Sequence, residues 1–311
     1  MKPRIIFFGT PQFACRILQE LIDEGQNIAA VVSQPDKPVG RRHTIEKTPV
    51  HALAEQYGIP VIQPVKLRAE ADSILALEPE LIVTCAYGQF VPEIILNAPK
   101  YGCLNVHPSL LPKYRGGAPV HRAVMNGDKE TGVCLMQMVK AMDAGKVYAC
   151  CRREILPDMT TEDLNLVLEE DAALLLRENL PLYLEGKLPG TEQDEAGVVL
   201  APNISREDEM VRFAEEDVHQ AYNHIRALID WPISYGVVNG KRIKFYKARK
   251  EEAEHSCKTG TVTGFENGGM RIACKGGFVD ILELQMEGKN RMSADAFANG
   301  AGRSLIGKQF E

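Results

Sequence analysis

The run Arg4-Ile5-Ile6-Phe7-Phe8-Gly9-Thr10-Pro11 decides the fold. Arg4 to Phe8 is a short apolar stretch, and Gly9-Thr10-Pro11 closes it, so it reads as a buried strand. Phe13, Ile17, Leu18, Leu21 and Ile22 then recur at helical spacing on one stripe. The alternation repeats outward from there. Ile28 to Val32 reads as a second strand and His51 to Tyr57 as a helix. Leu81 to Ala86 and Cys103 to His107 read as further buried strands, with a helical segment around Pro92 to Leu96 between them. Wholly apolar strands separated by helices predict an α/β fold, a doubly wound, mostly parallel and Rossmann-like sheet. Gly9-Thr10-Pro11 is not GxGxxG, so a dinucleotide fingerprint is absent.

Gly132 to Met138 and Lys146 to Ile155 continue the strand pattern, and a long helix is predicted over Thr161 to Leu184. The stretch from Gly186 to Ile204 is rich in Gly, Pro and polar residues, which suits a linker. Beyond it come a helical segment near Val218 to Leu228 and five short β-like runs between 234 and 284, separated by Gly and Asn. Such a succession predicts a small OB-like β-barrel. The expected domains are therefore 1–188, a linker over 189–206, and 207–311.

The 311 residues carry a net charge of −6, but unevenly. Residues 218–311 hold 14 Lys and Arg against 10 Asp and Glu, whereas residues 1–217 are strongly acidic. Lys241 to Lys250 has six positive charges and no acid. Such runs are usually solvated surface, yet they are also what a nucleic-acid contact requires. The eight cysteines show no CxxC pair and no Cys/His cluster with ligand spacing, so buried reduced thiols are expected and no metal. With no apolar run of membrane-spanning length, a soluble, cytoplasmic protein with no membrane partner is expected.

The chemistry is concentrated in Asn105-Val106-His107-Pro108-Ser109-Leu110-Leu111-Pro112-Lys113-Tyr114-Arg115-Gly116-Gly117. This segment follows a buried strand and opens a Pro/Gly loop, at the carboxyl edge where open α/β sheets bind ligands. Asn105 and His107 face the same side of the strand end. An Asn amide stabilises a developing oxyanion, and a His moves a proton near neutral pH. A His at a strand end is more often only hydrogen-bonded, and Asp143 in Met142-Asp143-Ala144-Gly145 has an ordinary turn reading too. Together, the three suit proton transfer in acyl chemistry without a covalent nucleophile. Ser109 lacks a Gly-x-Ser-x-Gly elbow and reads as a loop residue.

Phe8-Gly9-Thr10-Pro11-Gln12-Phe13-Ala14, Asn105 to Pro112 and Asp143-Ala144-Gly145 resemble signatures of the 10-formyltetrahydrofolate-dependent formyltransferase family. Trp231-Pro232 and Gly288 to Ser293 resemble features of its C-terminal domain, so the likeness covers essentially the whole chain. The resemblance implies that Asn105, His107 and Asp143 are catalytic and that Ser109, Leu110, Leu111 and Pro112 line the tetrahydrofolate site. It also implies formyl transfer from 10-formyltetrahydrofolate to the amine of initiator methionyl-tRNA, with no metal and no obligate protein partner. Ser33 to Val50 resembles a loop that engages the tRNA acceptor end, with Arg41, Arg42 and Lys47 as contacts. Lys241, Arg242, Lys244 and Lys247 are the candidate tRNA contacts of the C-terminal domain. His43-Thr44-Ile45-Glu46 departs from the more continuous basic run of that loop. Two other readings stand beside this one: a folate-dependent transferase acting on a small amine, and a non-catalytic RNA-binding protein.

Overall fold

The computed structural model of the chain describes residues 2–39 and 44–311. Two compact units divide it. The first comprises Met1–Pro119, Thr131–Arg153 and Asn165–Pro202; the second comprises Val120–Glu130, Glu154–Leu164 and Asn203–Glu311. The units interleave along the chain, unlike the contiguous stretches 1–188 and 207–311. Most of the expected 189–206 linker, up to Pro202, packs within the first unit.

The chain opens with β1 (Arg4–Gly9), α1 (Gln12–Asp23) and β2 (Asn27–Val32), followed by the paired short strands β3 (Lys37–Val39) and β4 (Thr44–Glu46). Next come α2 (Pro49–Gln56), β5 (Val61–Ile62), α3 (Ala71–Leu75), β6 (Leu81–Cys85), α4 (Glu93–Leu96), β7 (Cys103–His107) and β8 (Lys113–Arg115). Then follow α5 (Pro119–Met125), β9 (Glu130–Gln137), β10 (Val147–Glu154), α6 (Thr161–Leu184) and β11 (Val199–Leu200).

Among the described residues the main sheet has the order β10-β9-β7-β6-β1-β2-β5. β1 pairs in parallel with β2 and β6, β6 with β7, and β2 with β5, while β9 runs antiparallel to β7. The mostly parallel sheet is as the apolar runs imply, because strands buried on both faces carry no polar alternation. Every residue from Ile5 to Gly9 and from Leu81 to Cys85 is buried. α1 buries Ala14, Ile17, Leu18 and Leu21 on one stripe. The chain goes from β1 to β2 and β5 on one side, then crosses to β6 on the other, so the crevice at the carboxyl ends of these strands is open to a ligand.

The second unit holds α7 (Val218–Leu228), started by an Asp217–Gln220 capping box, and β12 (Tyr235–Val238), β13 (Lys241–Glu252), β14 (Val262–Glu266), β15 (Gly269–Cys274), β16 (Gly277–Met286) and β17 (Met292–Ser293). It ends with α8 (Ala294–Ala298) and a 3-10 turn. Its sheet is antiparallel, in the order β12-β13-β16-β15-β14, with β17 beside β16. The expected OB-like barrel is not closed by strand pairing among the described residues. Between the edges run the last residues of the chain, where isolated bridges join Gln309 to Thr261 and Phe310 to Val238. Phe213, Phe245 and Phe310 centre the core, with ring centroids 5.2 to 6.0 Å apart.

One cysteine expectation is corrected. Cys134 and Cys150 form a disulfide with Cα atoms 4.2 Å apart, and the other six cysteines are free. Neighbouring strands bring the pair together, and that requires no spacing motif. Burial pushes the Cys15 thiol up to about 11 and those of Cys103 and Cys274 to about 12, so these remain protonated.

Candidate active site

β7 carries Asn105 and His107 to the carboxyl edge of the sheet. Pairing sets Asn105 beside Thr84 of β6 and Met136 of β9, and His107 beside Cys134. The buried Thr84 hydroxyl donates to Asn105 Oδ1 at 2.8 Å. The amide oxygen is thereby occupied, and the N–H groups are turned away from Thr84. His107 is 4% exposed, with Nε2 3.0 Å from the Tyr114 carbonyl. A carbonyl only accepts, so Nε2 carries a proton and donates it there. In the neutral ring Nδ1 is then bare, and it lies 3.8 Å from Asp143 Oδ2. That separation is beyond a hydrogen bond, yet it places a carboxylate beside Nδ1 when the ring gains a proton there.

Asp143 sits in the left-handed region at φ 49°, where Asp is better tolerated than most residues. Gly145 is required two positions on, because a Cβ there would lie 2.0 Å from the Gln137 carbonyl oxygen. The Gly116 N–H donates to Asp143 Oδ2 at 2.9 Å. From the stretch expected to be linker, Gln193 donates to the carbonyls of both Asp143 and Gly145, each at 2.8 Å. Arg115, in turn, donates through Nε to Gln193 Oε1 at 3.0 Å and forks onto the Glu195 carboxylate. β11 pairs with β8 to hold the same stretch in place.

The four expected folate contacts divide. Ser109 is fully buried and its hydroxyl donates to the Lys113 carbonyl at 2.7 Å, which ties the loop to itself. Leu110 packs toward β9, its Cδ2 2.6 Å from where a Cβ on Gly132 would stand. Leu111 and Pro112 line a cavity of about 310 Å3 with Val147, Tyr148, Ala149, Cys150 and Thr191 to Asp194. Elsewhere in the first unit, Phe90, Ile94, Val139 and Met142 expose large apolar side chains. A Lys140–Glu93 ion pair of 3.1 Å ties the segments that carry them, and Met142 immediately precedes Asp143.

The basic candidates lie on both units. Arg41 and Arg42 fall outside the described residues. Lys47 pairs with Glu55 at 2.5 Å. At the base of that loop the Asp36 carboxylate accepts from the Thr48 N–H, His51 Nδ1 and Gln63. Burial pushes this carboxyl up, but the bonds from Gln63, His51 and Thr48 prevail and hold it below its ordinary value. On β13, Lys241, Arg242 and Lys247 are exposed and Lys244 is half-buried. The Arg242 guanidinium stacks on the Tyr235 ring at 4.2 Å, while Arg249 is committed to the buried Asp280 carboxylate. Sequence reasoning misses Thr84, Arg115 and Gln193, whose roles come from contacts across the fold. Among the described residues no group of three or more His, Cys, Asp or Glu is arranged to hold a metal, and no helix is long and apolar enough to cross a membrane.

A family model described as formyl transferase matches residues 3–179, and one described as the formyl transferase C-terminal domain matches 203–302. A methionyl-tRNA formyltransferase of Bacillus mycoides (strain KBAB4) is 44% identical over 300 residues, covering 96% of this chain and 95% of its own. An N-formyltransferase of Helicobacter canadensis, solved with folinic acid and dTDP-3-aminofucose, superposes with a TM-score of 0.69 at 17% identity and covers 90% of this chain and 99% of its own. HypX of Aquifex aeolicus in complex with tetrahydrofolic acid gives 0.69 at 17% identity, over 98% of this chain and 48% of its own. At these identities the two structures speak for the fold alone.

Proposed function

The chain belongs to the formyl transferase family, and we propose that it transfers the formyl group of 10-formyltetrahydrofolate to the α-amine of initiator methionyl-tRNA in the cytoplasm. The observation that carries this reading is that His107 lies beside Asp143 and two residues from Asn105 on β7, in a chain 44% identical to a methionyl-tRNA formyltransferase over 96% of its length. The transfer breaks one carbon–nitrogen bond at the formyl carbon and forms another to the amine. As the amine adds, negative charge grows on the formyl oxygen, and the Asn105 amide N–H groups stabilise it. His107 Nδ1, bare in the neutral ring, takes the amine proton. Asp143 then faces a positive imidazole, and the proton returns to the leaving nitrogen. A folate offers flat apolar surface with a hydrogen-bonding edge. Phe90, Val139 and Met142 supply exposed apolar contacts for it, and Leu111 and Pro112 supply others.

The second unit is read as an OB-like module that receives tRNA, with Lys241, Arg242, Lys244 and Lys247 against phosphates and Arg41, Arg42 and Lys47 as further contacts from the loop. A small amine needs no such strand of cations. The test offers 10-formyltetrahydrofolate with charged initiator tRNA, glycinamide ribonucleotide or an amino-sugar nucleotide as the acceptor. Formylation of the tRNA is expected, and His107→Ala and Asp143→Asn should each lower kcat about 100-fold or more while staying folded. Preference for a small amine, or normal turnover in either folded variant, contradicts the reading.

A further inference from the structure

We propose that Gln193 is a positioning residue of the transfer reaction, setting Asp143 at its distance from His107. The proposal rests on the formyl-transfer reading above. The Gln193 side chain has two N–H groups and one oxygen, and all are used. One N–H goes to the Asp143 carbonyl, the other to the Gly145 carbonyl, and the oxygen accepts from Arg115 Nε. These partners fix which end of the amide is which. A reversed amide would set its oxygen against two carbonyls and its nitrogen against a guanidinium N–H. The two carbonyls belong to the turn in which Asp143 takes its left-handed conformation, so the side chain grips that turn on both sides of Ala144.

Three consecutive residues connect this grip to the imidazole. The Tyr114 carbonyl accepts a hydrogen bond from the His107 Nε2–H, Arg115 holds Gln193, and the Gly116 N–H holds the Asp143 carboxylate. His107 and Asp143 are thus referred to one short stretch of backbone, and Gln193 closes the ring between them. Main-chain bonds between Thr191 and Val147, at 2.8 and 2.9 Å, anchor the segment independently of the Gln193 side chain. A change at this side chain therefore frees the turn without detaching the segment. Asp143 then loses its fixed approach to Nδ1, and a misplacement of about 1 Å at a catalytic group costs up to about 100-fold in rate.

The experiment is a double-mutant cycle on the full chain with 10-formyltetrahydrofolate and charged initiator tRNA. Gln193→Met keeps the volume and removes both donors. It should lower kcat about 10- to 100-fold while both KM values stay within about twofold. In the Asp143→Asn background the same substitution should cost less than about twofold, because the group it positions is already disabled. Gln193→Ala should repeat the pattern. Equal losses in both backgrounds, unchanged kcat, or variants that fail to fold all overturn the proposal, the last because Gln193 would then be holding the fold. An unmutated chain that does not formylate this tRNA would instead overturn the reading of function, so the two failures are distinguishable.

Discussion

Asn105 is only as useful as the direction of its amide, and one hydroxyl sets that direction. Thr84, itself buried, donates to its oxygen from the neighbouring strand. Thr84→Val keeps the shape and removes the donor. It should lower kcat about tenfold with little change in KM, and Thr84→Ser should restore most of it, as steady-state kinetics would show. A valine variant with full turnover would mean that the Asn105 amide needs no outside orientation. Asn105 and His107 are legible in the sequence because polar residues two apart end an apolar strand. Thr84 is not, since within Leu81 to Cys85 it looks like one more β-branched strand residue. Gln193 is hidden more deeply: it reaches Asp143 across 50 residues from a stretch whose composition says linker.

Among elements, β13 combines two duties, packing Ile243 and Phe245 inward while Arg242 and Lys244 alternate with them and Lys241 and Lys247 are exposed. If all four meet phosphates, replacing them with Ala should flatten the dependence of tRNA affinity on salt by a slope of about 3, with folate binding unchanged. An unaltered slope would remove this strand from the tRNA contact. α5 depends on a different electrostatic bond. Arg122 forks onto Asp208 at 2.9 and 3.0 Å, and with Ser205 it holds that carboxyl far below its ordinary value against the upward push of burial. The unfolded carboxyl titrates near its ordinary value of about 3.9. The contribution to stability is therefore complete above about pH 4 and is lost as pH falls toward the depressed folded value. Asp208→Asn should cost about 1 kcal/mol at pH 7, discounted because the pair is partly exposed, and the cost should begin to shrink below about pH 4 and keep falling through about pH 2 in urea melts. A constant cost at both pH values would count against the ion pair. The strands themselves are legible from alternation and turn residues. The contacts of Gln309 and Phe310 with the two edges are not, because two isolated bridges are too short to leave a period in the sequence.

For the whole molecule, composition suggests a cut near residue 188, and the contacts argue against it. A chain ended at Leu188 keeps Asn105, His107 and Asp143 but lacks Gln193, Glu195 and β11. It also strips 154–164 of its partners: Tyr222 no longer reaches Asp158, and Thr161 no longer donates to Ala227. Such a chain should lose cooperative melting and native folate affinity together, as calorimetry and folate titration would show; retention of both would restore the simpler two-block picture. The second unit is likewise incomplete without its end. Phe310 is 1% exposed against Phe213 and Phe245, and the Glu311 N–H donates to the Val237 carbonyl. During synthesis these residues emerge after every strand of the second unit. The first unit can begin to order on the ribosome, but the aromatic centre of the second stays unfilled until Phe310 has left the exit tunnel.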